Sequence, residues 1–306
     1  MCLVSFSKTD SYSSRKKLDG FKSDSPRWAY VEITDSCSHK CAWCYGGFNA
    51  DLSNHMTIDT FRNILTKCLE IGIEQITLSG GEPTEHPDFM QFATEAAQLF
   101  SVNIATHGDW RNVDVMKLKQ LGIKQIQFNY QGKTRHDGVH KIDGSFDRQQ
   151  EAIRSTIESG IDSVCTVTVG AYNLHDIDNI FGEIDALGAT RIRVWEATGL
   201  GTPFMKNKET VEIFEACKKS AAKLGYNFIH SYEPEFDGDV SLNCLSLDKM
   251  FMYIDKSGKI KFCGAAVKIT DEIADFNTQS SEEILNNYCN FMDSMKRDKP
   301  YCAARL

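Results

Sequence analysis

Residues 29–44 read Ala-Tyr-Val-Glu-Ile-Thr-Asp-Ser-Cys-Ser-His-Lys-Cys-Ala-Trp-Cys. The first six alternate in polarity and favour a β-strand, and the chain then runs directly into Cys37, Cys41 and Cys44. This C-x3-C-x2-C spacing brings three thiolates into one tight loop, a geometry that suits an iron–sulfur cluster. A cubane cluster needs four ligands, so three cysteines leave one iron without a protein ligand. An open coordination position of this kind is typical of catalytic rather than structural metal sites.

The same cysteines also suit zinc. Cysteines in C-x2-C are commonly zinc ligands or a redox pair, and His39 is the local candidate for a fourth zinc ligand. The spacing alone leaves both metals open, and the sequence downstream has to separate them.

The bulk composition narrows the class of protein. The chain has 306 residues, 42% of them hydrophobic, and a formal charge of −8, which argues against a general nucleic-acid surface. It contains neither a run of eighteen apolar residues nor a convincing signal peptide. Eleven cysteines without an export signal indicate thiolate chemistry in a reducing cytoplasm rather than disulfides. We therefore expect a cytoplasmic protein that binds neither membranes nor nucleic acids.

Strand and helix patterns alternate up to about residue 224. A helix is predicted between Thr57, a good cap, and Gly72, which can take a left-handed conformation. Six strand–helix units predict an α/β fold, a partial (β/α)6 TIM-like barrel, with a doubly wound open sheet as the alternative. In both folds the chemistry belongs at the carboxyl ends of the strands. The predicted strands are residues 29–34, 74–79, 102–106, 125–130, 162–169, 191–195 and 226–230.

The composition divides the chain into three parts. Residues 1–26 are polar and are predicted to form a loosely ordered arm, and residues 27–236 to form the barrel. Residues 237–306 form a small C-terminal module, in which a hairpin is predicted around Asp255-Lys-Ser-Gly258, followed by a helix over 282–296.

A glycine-rich run, Leu78-Ser79-Gly80-Gly81-Glu82-Pro83-Thr84, follows the second predicted strand. Two glycines let the backbone approach a ligand closely. Together with the cysteine loop one strand earlier, this run resembles the GGEP motif of the radical S-adenosylmethionine (SAM) enzymes, and the pair favours iron–sulfur over zinc. The resemblance implies that SAM chelates the open iron. It also implies that Gly80, Gly81, Glu82 and Pro83 contact SAM.

Further strand ends resemble the family less tightly, and each residue taken alone suits a loop or the core equally well. Thr106 lies in a run similar to the family's Thr-Asn-Gly strand end, with His107 in place of Asn. Asn129 stands where a serine often faces the SAM ribose. Thr168 and Glu196 end the next two predicted strands. The resemblance makes all four candidates for cofactor binding.

Two more residues have a functional and a structural interpretation. Tyr45 follows the third cysteine, where the family packs the adenine of SAM, although a core aromatic fits equally well. Cys165 lies in the middle of a predicted strand. If it points into the barrel its thiol could donate a hydrogen atom, and otherwise it is a core residue.

The C-terminal module resembles the SPASM and Twitch modules that carry auxiliary [4Fe–4S] clusters. Cys244, Gly258 and Cys263 match their C-x(9–15)-G-x4-C spacing, and the predicted hairpin would bring both thiolates to one end. Cys302 resembles the last ligand region, and Cys289 is a further candidate ligand. Two buried thiols on a hairpin are the alternative. A three-cysteine cluster with an iron open to substrate is another.

The resemblance implies a reaction that begins with one electron from a flavodoxin or ferredoxin. SAM is then cleaved to methionine and a 5′-deoxyadenosyl radical, which abstracts a hydrogen atom from the substrate. Only about 28 residues precede the first strand, too few for a leader-binding winged domain, so we expect dehydrogenation or epimerisation of a small polar molecule. A peptide maturase is the alternative. A non-catalytic iron–sulfur or zinc sensor is the alternative of a different class.

Overall fold

The structure, a computed structural model, describes residues 3–8, 25–41, 43–50, 53–111, 113–170, 172–196, 207–232, 236–237, 240–241, 246–264 and 271–298. Its strands are β1 (Leu3–Ser7), β2 (Trp28–Glu32), β3 (Gln75–Ser79), β4 (Ser101–Thr106), β5 (Gln125–Tyr130), β6 (Asp162–Val169), β7 (Arg191–Glu196), β8 (Asn227–Tyr232), β9 (Phe236–Asp237), β10 (Val240–Ser241), β11 (Phe251–Ile254), β12 (Lys259–Lys261) and β13 (Ala274–Asp275).

Its α-helices are α1 (Ile58–Ile71), α2 (Phe89–Ala97), α3 (Val115–Gln120), α4 (His136–His140), α5 (Ser145–Glu158), α6 (Ile177–Leu187), α7 (Asn207–Lys223) and α8 (Ser281–Asp298). The first helix shows why the predicted boundaries hold. The Thr57 hydroxyl accepts a hydrogen bond from the Thr60 amide at 3.2 Å, and Gly72 ends the helix with φ of 93°. Within the parts of the chain that the structure describes, no helix has the length and apolar content that a membrane crossing requires.

Strands β2 to β7 lie side by side in chain order and are all parallel, as the alternating pattern predicts. A helix follows each of them and returns the chain to the start of the next strand. The predicted α/β fold with six strand–helix units is confirmed.

Hydrogen bonds across the concave face show that the sheet curls. The Gln127 side chain on β5 accepts from the Tyr30 hydroxyl on β2 at 3.1 Å and from Arg193 on β7 at 2.6 Å. In a flat sheet β2 and β5 would lie roughly 14 Å apart, too far for these side chains to meet above their strands. The strands therefore form a partial barrel with a polar interior, and the alternate residues of each strand pack against the helices.

The predicted loose arm is wrong for residues 3–7. They form β1, which is antiparallel to both β7 and β8 and lies between them. Phe6 is 1% exposed, and its ring meets that of Phe181 on α6 edge-on at 6.2 Å. The polar average of the N-terminal segment hides this short strand, whose partners β7 and β8 lie about 190 and 225 residues further along the sequence.

The C-terminal hairpin continues the barrel sheet. Strand β11 is parallel to β2, on the side opposite β3, and β12 and β13 follow as antiparallel neighbours. Helix α8 packs on this extension, and the Tyr288 hydroxyl donates to the Phe251 carbonyl at 2.7 Å. The division of the chain at residue 237 stays a prediction.

We expect Phe6→Ala to destabilise the protein by about 3 to 5 kcal/mol, because it leaves a cavity between β1 and α6. The control is Met116→Ala on α3, a residue 57% exposed, which should change stability by no more than about 0.5 kcal/mol. Urea unfolding of both variants measures the difference. Equal effects of the two substitutions would show that β1 is not part of the folded core.

Candidate active site

The three cysteines lie in the loop that follows β2, at the carboxyl end of the parallel strands. Cys37 is buried and Cys41 and Cys44 are half-buried, and none forms a disulfide. Burial raises the pKa of Cys37, and Cys41 is close enough to raise it further. Burial likewise raises the pKa of Cys41 to about 12, and Cys44 adds to that shift. The three thiols are therefore close together, and Cys37 and Cys41 need a metal to become thiolates, so the loop fits a three-cysteine [4Fe–4S] site.

The glycine turn lies directly against the backbone of this loop. The amides of Gly81 and Glu82 donate to the carbonyls of Thr34 and Ser36, both at 2.8 Å. A Cβ on Gly80 would lie 2.3 Å from the Thr34 oxygen, and one on Gly81 would lie 2.2 Å from the Ser36 oxygen. Both glycines are therefore required by contact with the cysteine loop itself, which the interpretation of the sequence did not include.

Glu82 connects the turn to the end of the next strand, β4. Its buried carboxylate accepts from the Thr106 hydroxyl at 2.7 Å and from the His107 amide at 2.8 Å. Pro83 begins a short 3-10 helix directly after it. The structure thus brings together five of the predicted cofactor-binding positions beside the cysteine loop, namely Gly80, Gly81, Glu82, Pro83 and Thr106. Their contact with SAM stays a prediction.

Glu85, which the sequence analysis did not single out, holds the interior of the cysteine loop. Its carboxylate accepts from the Ser38 amide at 2.9 Å and contacts the His107 ring at 3.3 Å. Burial acts to raise the pKa of Glu85, but the hydrogen bonds from His107 and Ser38 outweigh burial and lower the pKa. The loop between the first two cysteines is therefore fixed by a charged group.

A buried group of histidines lies against this loop, beside Glu85. His39 stacks on His107 with ring centroids 3.7 Å apart, and its nitrogens meet His140 at 3.0 Å and Asp109 at 3.2 Å. Burial lowers the pKa of His39 to about 3. Burial works against the Asp109 carboxylate, yet hydrogen bonds, that from Arg148 first, lower its pKa to about 2. A neutral His39 thus lies against an ionised carboxylate.

Asn129, Thr168 and Glu196 lie at the carboxyl ends of three successive strands, as predicted. The Asn129 side chain accepts from Gln131 at 2.8 Å, and the Thr168 carbonyl accepts from Tyr172 at 2.7 Å. Their roles toward SAM stay predictions.

Tyr45 contacts the C-terminal hairpin. Its hydroxyl lies 2.9 Å from that of Tyr253 on β11, which donates in turn to the carboxylate of Glu32. Burial raises the pKa of Glu32 to about 7 despite that hydrogen bond. A second aromatic of the loop, Trp43, stacks on Tyr172 beyond β6 with centroids 5.3 Å apart. Trp43 is therefore a further candidate for adenine stacking, which the sequence analysis missed.

Of the two interpretations that the sequence leaves open for Cys165, the structure agrees with the core residue and not with a thiol that points into the barrel. Its register partners are Phe128 and Ile192, one residue away from the inward-facing Gln127 and Arg193. Because side chains alternate along a strand, Cys165 faces the helices, where it is fully buried in the hydrophobic core. Its thiol does not reach the barrel interior, so it has a packing role.

The auxiliary cluster remains a prediction. Cys263 follows β12 and Cys289 lies on α8, and both are partly buried against the core. Cys244 and Cys302 lie outside the described residues.

Comparison with known families decides the class of the cysteine site. The model of the radical SAM superfamily matches residues 31–184, just over half of the chain. The chain belongs to the radical SAM superfamily. Its cofactors are therefore a [4Fe–4S] cluster and SAM, and the predicted family is confirmed.

Several known proteins are similar to this radical SAM protein. The sporulation killing factor maturation protein SkfB of Bacillus subtilis is 24% identical over 56% of this chain and 42% of its own length. The PqqA peptide cyclase of Gluconobacter oxydans is 26% identical over 80% of this chain and 72% of its own. The chain thus spans less than half of SkfB.

The structure is also similar to that of Streptococcus suis SuiB. The crystal structure of SuiB bound to S-adenosylmethionine superposes with a TM-score of 0.69 and 14% identity, over 88% of this chain and 68% of that one. A second SuiB structure, bound to precursor peptide SuiA, gives a TM-score of 0.68. At this identity the likeness shows a shared fold.

We expect Gly81→Ala to lose the cluster, because its methyl group would overlap the Ser36 carbonyl and displace the loop. The control is Gly182→Ala on α6, where nothing lies within 4 Å and alanine should stabilise the helix by up to about 1 kcal/mol. Iron per chain after anaerobic reconstitution measures the effect. Full iron uptake by Gly81→Ala would refute the role given to this contact.

We expect Glu32 to cause a loss of stability as the pH rises from about 4.5 to 7, because the folded state holds the Glu32 proton more tightly than the unfolded state does. Glu32→Gln removes this loss, so the variant should be more stable than the wild type at pH 8 by about 3 kcal/mol and equal to it at pH 4.5. Tyr253→Phe should deepen the loss. Urea unfolding at several pH values tests this, and identical pH slopes for wild type and Glu32→Gln would contradict it.

Proposed function

We propose that this radical SAM enzyme abstracts a hydrogen atom from a peptide substrate and so acts as a peptide maturase. The observation that carries the enzymatic part is the loop of three closely spaced thiols, held against the glycine turn at the carboxyl ends of the barrel strands. Such a site needs a metal cofactor to ionise the Cys37 and Cys41 thiols and lies where barrel enzymes bind substrates.

The bound cluster and SAM would supply a 5′-deoxyadenosyl radical, and the chain's own residues would hold, orient and shield them. Cys37, Cys41 and Cys44 would hold the cluster. The glycine turn and Glu85 keep the backbone of their loop in place through the hydrogen bonds described above. The buried histidine group closes one side of the loop to water.

The peptide substrate is favoured by what the related proteins act on. The names of SkfB and PqqA peptide cyclase describe a maturation protein and a peptide cyclase, and SuiB has been crystallised with a precursor peptide. The polar barrel interior around Gln127 and Arg193 offers hydrogen-bond partners that a peptide backbone can use. We therefore prefer a peptide to the small polar molecule expected from the sequence, although the small molecule remains an outcome of the test.

We propose further that the C-terminal hairpin carries an auxiliary cluster. Cys244 and Cys263 would be ligands, with Cys302 and Cys289 as candidates for the rest. The parallel pairing of β11 with β2 supports this, because it joins the hairpin to the strand that precedes the cysteine loop. A flavodoxin or ferredoxin would supply the electron.

We expect the anaerobically reconstituted protein to release 5′-deoxyadenosine from SAM when dithionite is added. Cys41→Ala should abolish this release, because it removes a cluster ligand. Cys217→Ala, at a fully buried thiol on α7, is the control and should retain it. Chromatography of the nucleosides measures the product. A wild-type protein that takes up four irons at this loop yet releases no deoxyadenosine would disprove the enzymatic proposal.

Deuterium transfer separates the two substrate classes. The peptide fraction and the metabolite fraction of cells grown on deuterated medium are each supplied to the reconstituted enzyme, and mass spectrometry of 5′-deoxyadenosine measures the deuterium acquired. Transfer from the peptide fraction supports the maturase. Transfer from the metabolite fraction alone would contradict it and favour a small-molecule substrate.

A further inference from the structure

The buried histidines bring two ring nitrogens to the middle cysteine of the loop. One nitrogen of His39, one of His140 and the Cys41 sulfur all lie within 4.8 Å of one another. Both histidines are buried, although His140 lies about 100 residues further along the chain on α4. The Lys40 amide also donates to the His140 carbonyl at 3.1 Å, which fixes the helix against the loop.

The contacts of the two rings show which atoms face one another. The Nε2 atom of His39 lies 3.2 Å from the Asp109 carboxylate, and its Nδ1 atom lies 3.0 Å from the Nδ1 atom of His140. One of these two Nδ1 atoms carries a proton and the other accepts it, so a metal ion that binds both rings has to replace this hydrogen bond. The remaining nitrogen of the pair is the Nε2 atom of His140.

That Nε2 atom is buried and makes no hydrogen bond to any described part of the chain. Its solvent exposure is too small for a water molecule to contact it. A metal ion needs less room, because metal–nitrogen and metal–sulfur bonds of about 2.0 to 2.3 Å are shorter than hydrogen bonds. An orienting carboxylate behind a ligating histidine is also the usual arrangement around zinc.

We infer that the cluster-free protein binds one divalent transition-metal ion, of which zinc is the best fit, through His39, Cys41 and His140. Nitrogen and thiolate ligands together favour zinc over magnesium or calcium. On binding, the Cys41 thiol releases its proton to solvent, and the hydrogen bond between the two rings gives way to one bond from each ring to the metal, with Asp109 and Arg148 orienting His39. The [4Fe–4S] cluster needs the same sulfur, so zinc and the cluster exclude each other.

The test uses metal-free protein prepared anaerobically with a chelator. Zinc is titrated against a chromophoric competitor, and cobalt(II) is used to detect thiolate-to-metal charge transfer. We expect one zinc per chain. His39→Leu and His140→Leu should each weaken its binding at least about tenfold, and Asp109→Asn about tenfold. The matched control is His136→Leu, at an equally buried ring 4.1 Å from His140 but outside the group, which should bind zinc as the wild type does.

Iron uptake keeps this inference separate from the proposed function. Zinc loaded first should block cluster reconstitution, and removal of zinc by the chelator should restore it. His140→Leu should reconstitute with the iron content of the wild type, which also shows that it folds. Unchanged zinc affinity in both His39→Leu and His140→Leu would overturn the inference, because the cysteines alone would then be the ligands.

Discussion

The contact between the glycine turn and the cysteine loop is the constraint on which the rest of the site depends. Two amides donate into two loop carbonyls, and no side chain larger than hydrogen fits at Gly80 or Gly81. The turn begins where β3 ends, and β3 is paired in register with β2. The sheet therefore sets the distance between the two motifs, and the three thiols owe their closeness to the barrel as well as to their own spacing.

Strand β2 lies between the barrel and the C-terminal hairpin and therefore couples them. Its inner face supplies Tyr30, which closes the barrel through Gln127, and Glu32, which accepts from Tyr253 on the hairpin. Tyr45 in the cysteine loop contacts the same tyrosine. A shift of the hairpin would therefore move the cysteine loop, because buried hydrogen bonds join Glu32, Tyr253 and Tyr45. These contacts connect the cofactor site physically with the C-terminal module.

Local signals in the sequence predicted most of the barrel, but they could not predict strand pairings between distant residues. Caps such as Thr57 and Gly72, together with the alternation of strands and helices, predict the six units because each depends on a few neighbouring residues. Strand β1 depends on partners near residues 191 and 227, so nothing local marks it. The sequence leaves the direction of Cys165 open for a related reason, since strand periodicity gives two faces without saying which one is inside.

The site shows the same division. The cysteines and the glycine turn could be found from spacing, since each motif lies within a few consecutive residues. His107 and His39 were visible in the sequence only as a departure from a family pattern and as a candidate zinc ligand. These two histidines and His140 come together only because the fold brings the end of β4, helix α4 and the cysteine loop into contact. The cysteine spacing left a zinc site open as an alternative. The fold supports zinc binding by the cluster-free protein, because His39 lies between two cluster ligands and faces a second histidine. Zinc and the [4Fe–4S] cluster then compete for the Cys41 sulfur, and this competition decides which of them the loop holds. The spacing of the cysteines alone cannot predict the outcome.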